Sequence, residues 1–345
     1  MQKKTSKIHY FSKRPIDKIG RTFNIIFGGR GIGKTFNCIY EDVKDGTSFI
    51  YMRRTQSEVD LIGSNSDDVT LSPFAKINAK KHTELEMSKI NKNIWSVSNG
   101  YDENKKQVGL VLALSTVSAI RGFNADAYDD LIFDEFVPEK HVKRIGKGLA
   151  EGEAFLNAYE TINRDREFNG RRAMRCYLLS NSNNINSPLL EILGLVNVIE
   201  RMRNRGQTFV DLPKLDCTIT LYNDEEFKQE KEKTALYKLT RGTDFYDMSI
   251  NNEFIYNDFS MIESKNLKEY NPLCSIGDIY IYEHKSRYEY YVSKHRCACP
   301  SYDMTDSGQR KFYLDFGRAI YNAYVNQAIR FETYLLKEKL LEVIT

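Results

Sequence analysis

The sequence predicts an α/β fold built on a mainly parallel sheet, and three observations support this prediction. Residues 23–27 are an apolar segment, and a glycine-rich turn separates them from apolar residues at helical spacing over 36–40. A second apolar segment, 48–52, follows Gly46, so that strand, helix and strand indicate one right-handed crossover. Two later apolar segments, followed by the polar residues Asp134 and Asn181, supply further buried strands.

Length and composition allow two domains and argue against several classes of protein. The 345 residues are 41% hydrophobic, which is enough for a sizeable core. The formal net charge is only +3, so nucleic-acid binding has to be argued from local basic clusters. The six cysteines are scattered apart from Cys297 and Cys299, which indicates free thiols rather than disulfides or a zinc site. We expect no signal peptide and no membrane span.

The glycine-rich turn matches the phosphate-binding pattern of a glycine, four residues and then Gly-Lys-Thr. Its place between a strand and a helix brings backbone N–H groups to the positive end of a helix dipole, which suits a triphosphate. We expect Lys34 to reach the β and γ phosphates and the hydroxyl of Thr35 to hold Mg²⁺. The predicted ATP-binding residues are Gly28, Gly29, Arg30, Gly31, Ile32, Gly33, Lys34 and Thr35.

The strand predicted over 130–136 carries two neighbouring carboxylates near its end. Downstream of a phosphate loop, we expect Asp134 to organise Mg²⁺ and its waters, and Glu135 to polarise the attacking water. The strand over 175–180 is followed by Asn181, whose amide is expected to sense the γ-phosphate. No Asn-Lys-x-Asp guanine motif is present, which favours ATP over GTP. These residues predict nucleotide hydrolysis.

Basic residues follow two of the predicted strands. Arg53 and Arg54 come after the second strand, at the sheet edge where open α/β folds bind ligands. Contact with nucleotide, DNA or a neighbouring subunit and a solvated pair of charges remain open alternatives for them. The loop after the Asp-Glu pair is also basic, and either grips phosphate backbones or is a solvated surface. The candidate DNA-binding residues are Lys140, Lys143, Arg144 and, further upstream, Arg121.

The remaining segments give weaker signals. Residues 62–107 are polar and turn-rich, with an exposed strand expected over 93–97, and residues 154–166 are expected to be helical. Later in the chain we expect a strand over 208–212, a charged helix over 225–232 and a hairpin over 278–292. The closing segment 311–343 is predicted to be helical, with one apolar face that packs in the core.

These motifs resemble those of the DNA-packaging ATPases of small podophages. The resemblance rests on residues 27–35, 49–54, 132–136, 175–181, 186–188, 242–245 and 248–255. It is densest over 22–190 and weak over 60–110. It implies an additional-strand (ASCE) P-loop ATPase domain over 1–200, a small linker domain over 201–258 and a C-terminal α+β domain over 259–345 with an RNase H-like, vestigial nuclease fold.

The same resemblance implies a homo-oligomeric ring, commonly a pentamer, on the portal of a procapsid. ATP and Mg²⁺ would drive double-stranded DNA into the shell, and a structural packaging RNA is an open addition. It also implies a protein of the host cytoplasm that joins the portal vertex transiently, is absent from the mature virion and contacts no membrane. Nuclease activity needs clustered carboxylates. The candidate strands offer only Asp278 and Glu283, so we expect none.

Some family roles transfer to single positions. Arg30 resembles the extra basic residue of the loop, placed to touch the γ-phosphate. Arg164 falls where the family has its trans-acting arginine, and Arg166 is the rival two residues on. Lys140 matches a basic residue that faces the pore. The sequence departs from the family at Gln56, which stands where the family has a lysine.

Two other functions fit the same motifs. A ring-forming helicase or DNA translocase without a capsid would not bind a portal–procapsid complex. A non-catalytic, nucleotide-gated assembly factor would bind ATP without hydrolysing it, which an ATPase assay with and without DNA decides.

Overall fold

The structure is a computed structural model that describes residues 9–120, 125–138, 145, 149–181, 185, 187–243, 246 and 260–345. The chain forms two compact units, Met1–Tyr256 and Asn257–Thr345. None of the helices in these ranges is long and apolar enough to cross a bilayer. The four candidate DNA-binding residues lie outside the described residues, namely Arg121, Lys140, Lys143 and Arg144.

A nine-stranded sheet forms the centre of the first unit. Its strands are β1 Phe23–Gly28, β2 Phe49–Arg53, β3 Leu85–Lys89, β4 Ile94–Asn99, β5 Lys106–Ala113, β6 Asp130–Asp134, β7 Arg175–Ser180, β8 Phe209–Leu212 and β9 Cys217–Tyr222. They are arranged in the order β3-β4-β5-β2-β6-β7-β1-β9-β8. The run from β5 to β9 in this order is parallel, and β3, β4 and β8 pair antiparallel at the two edges. The predicted α/β fold with a mainly parallel sheet is confirmed.

Helices connect these strands. They are α1 Arg14–Asp17, α2 Lys34–Asp45, α3 Gln56–Ser64, α4 Pro73–Lys81, α5 Ala150–Asn163, α6 Pro188–Ile192, α7 Val196–Asn204, α8 Glu225–Glu232 and α9 Ala235–Leu239. As predicted, α2 ends at Gly46, which takes a left-handed φ of 71° that glycine adopts without strain. A capping box between Thr55 and Glu58 begins α3.

The strand order decides where the site forms. β6 and β7 lie between β2 and β1, so β7 is the direct neighbour of β1 and β6 is the next strand. Because the carboxyl ends of parallel strands meet at one edge, the ends of β1, β6 and β7 come together there. The glycine-rich turn, the Asp-Glu pair and Asn181 each follow one of these ends.

Two segments differ from the sequence-based expectations. The strand expected to be exposed over 93–97 is β4, and Trp95 and Val97 are buried because β3 and β5 flank it and α3 packs nearby. Strands β8 and β9, from the start of the predicted linker segment 201–258, belong to the large sheet and pair beside β1. The three-domain division stays a prediction.

A buried ion network ties the segment before β1 to α2 and β6. The amine of Lys13 contacts the carboxylates of Asp42 and, at 2.7 Å, Asp130, and all three side chains are at most 2% exposed. Arg175 contacts Asp130 from a second direction, with N–O distances of 2.7 and 3.0 Å. Burial and the charge of Asp130 raise the pKa of Asp42, so ionised Asp42 depends on Lys13.

Replacing Lys13 by Met should lower the free energy of unfolding of this unit by about 3–5 kcal/mol, because a buried carboxylate loses its cation. Urea denaturation followed by circular dichroism measures the change. Arg14→Met is the matched control, since its pair with Asp45 is 45% and 47% exposed and is expected to contribute only about 0–1 kcal/mol. Adding Asp42→Asn to Lys13→Met should recover part of the loss. A Lys13→Met protein as stable as wild type would contradict this role.

The second unit is a five-stranded sheet covered by helices. Its elements are β10 Tyr270–Ile276, β11 Ile279–His284, β12 Tyr290–Ser293, β13 Ser301–Tyr302, α10 Asp306–Phe312, α11 Arg318–Val325, β14 Ile329–Phe331 and α12 Tyr334–Ile344. The order is β13-β10-β11-β12-β14, with β10, β11 and β12 antiparallel and the two edge strands parallel to their neighbours. The predicted hairpin is confirmed as β11–β12.

The prediction of one helical segment over 311–343 was wrong in its middle. Ile329 and Phe331, both fully buried, belong to β14, whose pairing with β12 places the two side chains in the core of this unit. Phe312 and Ile320 lie in the same core, as expected of the predicted apolar face. Within the described residues, no three His, Cys, Asp or Glu side chains could share a metal ion. The RNase H-like relationship and the expected lack of nuclease activity stay predictions.

Candidate active site

The glycine-rich turn leads from β1 into α2 and wraps around the start of that helix. Gly31 and Gly33 both have a φ of 88°, which a residue with a Cβ rarely adopts. Gly33 is the N-cap of α2, so the first N–H groups of the helix lack intrahelical partners and lie at its positive end. This backbone can bind the oxygens of a phosphate group.

The amine of Lys34 lies inside the turn. Its Nζ donates to the carbonyl oxygens of Gly28 at 2.7 Å and Gly29 at 3.1 Å, and to Oδ1 of Asn181 at 3.3 Å. Lys34 is only 7% exposed, and burial lowers the pKa of its amine to about 8 against the opposing effect of nearby carboxylates. The structure therefore brings the predicted sensor amide next to the predicted phosphate-binding lysine.

The hydroxyl of Thr35 meets the carboxylate of Asp134 across the cleft. Thr35 Oγ1 donates to Asp134 Oδ2 at 2.9 Å, and Tyr51 donates to the same oxygen at 2.9 Å. Burial and the adjacent Asp134 raise the pKa of Tyr51, so its phenol stays protonated and a donor. Hydroxyl and carboxylate oxygens are the hard ligands that Mg²⁺ prefers, so this donor set fits the ion predicted from the sequence.

One guanidinium holds three carboxylates at the edge of this site. Arg53 donates to Asp134 at 3.2 Å, Glu135 at 2.7 Å and Glu58 at 3.1 Å. The sequence alone left two interpretations of Arg53, contact with a ligand or a solvated charge. In the structure Arg53 contacts the carboxylates of the cleft, and its position at the end of β2 is the sequence feature that indicated this edge of the sheet. The guanidinium reduces the repulsion between carboxylates that share a small volume.

The neighbouring Arg54 has a structural role instead. It contacts both oxygens of Glu151, at 2.6 and 2.9 Å, and the two side chains are 3% and 5% exposed. This two-point contact fixes the first turn of α5 against the end of β2. The sequence did not separate the two arginines, because each follows the same strand.

Glu135 stands one residue beyond β6 in a strained backbone conformation. Its φ is 54°, the left-handed region that non-glycine residues seldom occupy. The N–H of Phe136 then donates to the carbonyl of Leu179 at 3.2 Å, which holds the turn against β7. The side chain of Glu135 is 47% exposed, more open than Asp134. Such strain is typical of functional positions.

These side chains line one cleft of about 580 Å³, a size that accommodates a nucleotide. One wall carries the glycine-rich turn, the Asp-Glu pair and Asn181, and the opposite wall comes from α3 and the segment leading to α4. Arg30 also lines the cleft, while its carbonyl accepts a hydrogen bond from Lys231 at 3.1 Å. Burial and the charge of Arg30 lower the pKa of Lys231 to about 8. Nothing in the sequence of α8 pointed to this contact.

Arg164 and Arg166 lie near the amino end of β6, away from the cleft at the carboxyl ends of the strands. Arg166 is 3% exposed and donates to the Tyr128 carbonyl, to Asp129 at 2.6 Å and to the Arg172 carbonyl at 3.1 Å. Arg166 therefore braces the start of β6 from within the chain. Arg164 is exposed just after α5, near the amino end of β6, and this five-residue strand spans about 13 Å to its other end.

Comparison with known proteins decides the family. Residues 5–278 match the family described as Podovirus DNA encapsidation protein (Gp16). The chain belongs to this family. The resemblance to podophage DNA-packaging proteins that the sequence motifs indicated is thereby confirmed.

Individual relatives agree with this membership. The DNA packaging protein of Bacillus phage B103 is 29% identical over 255 residues, which are 72% of this chain and 70% of the relative. That of Bacillus phage phi29 is 25% identical over 260 residues, 74% of this chain and 69% of the relative.

Two solved structures share the fold. A chain of the bacteriophage Phi-29 viral genome packaging motor assembly superposes with a TM-score of 0.67 and 21% identity, covering 98% of this chain and all of that one. A chain of the Phi-28 gp11 DNA packaging motor gives a TM-score of 0.59 and 17% identity over 98% of each chain.

Proposed function

We propose that this chain hydrolyses ATP and uses the reaction to drive double-stranded DNA into a procapsid, as one subunit of a homo-oligomeric ring on the portal. One contact carries the enzymatic part of the proposal, the 2.9 Å hydrogen bond from Thr35 to Asp134, because it joins the glycine-rich turn and the Asp-Glu strand end in one cleft. Family membership and the named DNA packaging proteins of the Bacillus phages support the biological part.

The residues divide the work of binding. The N–H groups at the start of α2 and the amine of Lys34 hold the phosphates, and Arg30 approaches from the loop itself. Thr35 and Asp134 would hold Mg²⁺. Bound ATP with Mg²⁺ supplies the phosphoryl group to be transferred and neutralises part of its charge.

The chemical step is then carried out by Glu135 together with an arginine of a neighbouring subunit. Glu135 orients a water molecule and accepts its proton, for which its half-open position beside Asp134 is suited. Arg53 holds the Glu135 carboxylate at 2.7 Å, so the base is fixed until that ion pair breaks. Asn181 connects the phosphate end of the cleft to β7, and Arg164 of an adjacent subunit completes the charge stabilisation.

DNA contact belongs to the same proposal. We assign it to the basic loop residues Lys140, Lys143 and Arg144, with Arg121 as a further candidate. Contacts of this kind are independent of sequence and weaken steeply with salt, because each neutralised phosphate releases a counterion. The proposal includes a pentameric ring in the host cytoplasm that joins the portal vertex transiently, and it leaves the packaging RNA as an addition to be tested.

The decisive experiment measures ATP hydrolysis and protection of DNA from nuclease digestion with purified procapsids. We expect DNA-stimulated hydrolysis and protected DNA only when protein, ATP, Mg²⁺ and procapsids are all present. DNA-stimulated hydrolysis with no binding to the portal would instead identify a capsid-independent translocase. ATP binding without turnover under every condition would identify a nucleotide-gated assembly factor.

Magnesium dependence offers a separate prediction. Thr35→Ala removes one oxygen ligand, so the gain in nucleotide affinity on adding Mg²⁺ should shrink by about tenfold or more, while affinity measured with EDTA stays near the wild-type value. Titration with a fluorescent ADP analogue measures both affinities. Thr161→Ala is the control, because that hydroxyl donates to the Asn157 carbonyl within α5. An unchanged response to Mg²⁺ in Thr35→Ala would contradict the assigned ligand.

A further inference from the structure

The loop between α5 and β7 exposes an unusual side chain. We name residues 164–172 the corner loop. Phe168 within it is 88% exposed, and Arg164 at its start is also exposed. A phenyl ring left in water at this level costs solvation free energy that burial against a partner would recover. Arginine and aromatic side chains together are the residues that dominate protein interfaces.

The corner loop is fixed rather than loose. The buried guanidinium of Arg166 holds it from inside, as described above. Backbone hydrogen bonds close it as well, from Asn169 to Asp165 at 2.9 Å, from Gly170 to Glu167 at 3.1 Å and from Arg171 to Arg166 at 2.8 Å. A ring presented by a braced loop loses little conformational entropy on binding.

The cleft offers a complementary surface on the opposite edge of the sheet. Its α3 side carries three exposed aliphatic side chains, which we name the apolar wall: Leu61, Val69 and Leu71, at 53%, 52% and 41% exposure. Asp67 and Asp68 are exposed directly beside Val69. Hydrogen bonds from Thr70 lower the pKa of Asp68, so this carboxylate is charged.

We propose that the corner loop of one copy docks on the apolar wall of the next copy, with Phe168 packed against the wall. The proposal rests on the ring of the proposed function. The two surfaces lie at opposite ends of the parallel strands, with the corner loop beside the amino end of β6 and the apolar wall beside the cleft at the carboxyl ends. They therefore cannot meet within a subunit. They are also different surfaces, so their contact is head-to-tail and generates a ring or an open helix.

Charge supports the choice of a second copy as the occupant. The exposed charges of the corner loop are Arg164, Arg171 and Arg172 against Asp165 and Glu167, an excess of one positive charge, and the wall brings the exposed Asp67 and Asp68. The wall lines the same cleft as Glu135, so a corner loop docked there brings Arg164, four residues before Phe168, close to that cleft. Phe168 is thus a positioning residue, which holds a neighbour's arginine at the site without touching nucleotide.

Site-specific cross-linking tests this contact in the full-length chain. Cys297→Ser and Cys299→Ser remove the two half-exposed native thiols, while the other four cysteines are buried. Phe168→Cys and Leu71→Cys are then made in separate proteins and mixed with ATP, Mg²⁺, DNA and procapsids. We expect a disulfide-linked pair only in the mixture of both. A chain carrying both substitutions should give a ladder of cross-linked species that ends at the ring size.

A matched control uses Leu239→Cys, since Leu239 is 83% exposed on α9. Mixed with Leu71→Cys, it should give no more product than either protein alone. As a second measurement, Phe168→Ser should raise the protein concentration needed for half-maximal hydrolysis by about tenfold or more, as expected for an aromatic anchor. Its melting temperature should not change, because the side chain is exposed.

The outcomes separate this proposal from the proposed function. No product from the Phe168→Cys and Leu71→Cys mixture overturns the docking contact. If the unmodified protein still hydrolyses ATP in response to DNA, only the contact is wrong and the motor function stands. If the protein neither hydrolyses ATP nor associates, both proposals fall.

Discussion

Glu135→Gln should reduce the rate of ATP hydrolysis by about 10²–10⁴-fold while ATP binding persists, because a general base in this position typically contributes that much. The amide keeps the size of the side chain and a hydrogen bond to Arg53, but it cannot accept the proton of the attacking water. Phosphate release at saturating ATP measures turnover, and binding of a fluorescent ATP analogue measures affinity. Because Thr35 and Asp134 are unchanged, affinity should stay within a few-fold of wild type.

Glu58→Gln separates the role of base from the role of countercharge. Glu58 pairs with the same guanidinium at 3.1 Å, so its replacement also removes one carboxylate from Arg53. If Glu135 acted only by balancing the charge of Arg53, the two substitutions would have comparable effects. We expect Glu58→Gln to retain most of the hydrolysis. Normal turnover in Glu135→Gln would remove this residue from the chemistry.

Arg164→Ala should reduce hydrolysis by the assembled ring by about 10³–10⁵-fold, which is the rate enhancement typical of trans-acting arginines in phosphoryl transfer. Mixing provides the stronger test. Neither Arg164→Ala nor Glu135→Gln is active alone, yet in a mixture a subunit with an intact Glu135 can receive Arg164 from the other variant. Up to about one quarter of the sites in a randomly mixed head-to-tail ring would be complete. Recovered activity would show that neighbours share sites.

Arg201→Ala is the control for this experiment, since Arg201 is exposed on α7 and its guanidinium donates to the Asn197 carbonyl of the same helix. It should be as active as the wild type, which would show that the loss in Arg164→Ala is not a general effect of removing an exposed arginine. A mixture of Arg164→Ala and Glu135→Gln that is as inactive as its two components would contradict the trans assignment. Arg166→Ala is unsuitable as a control, because loss of its three internal hydrogen bonds would disturb the fold.

Local patterns predicted which side chains come together in the cleft. The turn before Lys34 and the carboxylates after the apolar run of β6 are short-range signals, because backbone conformation and the pairing of parallel strands place them with few other choices. Asn181 followed from the same rule, since the end of β7 has to meet the ends of β1 and β6.

Long-range contacts were outside the reach of such patterns. The cleft pairing of Arg53 and the internal bracing by Arg166 depend on residues distant in sequence, and no spacing rule separates either from its neighbouring arginine. The burial of β4 also escaped, because polar and apolar residues alternate in it, although β3 and β5 lie on either side of it. In the second unit, β14 was missed because its three residues are too few to show the alternation of a strand, and Ile329 also fits the helical spacing of the residues before it.

Strand β6 has a consequence for communication around a ring. Its last residue is Asp134, and its first, Asp130, follows Asp129, to which Arg166 of the corner loop is bonded. In a ring joined as we propose, one short and fully hydrogen-bonded strand would have one end in its own catalytic centre and the other anchored to the loop that enters the adjacent centre. A shift of that strand by a fraction of an ångström during turnover would then move the corner loop and alter the catalytic centre of the adjacent subunit. No additional moving element would be required.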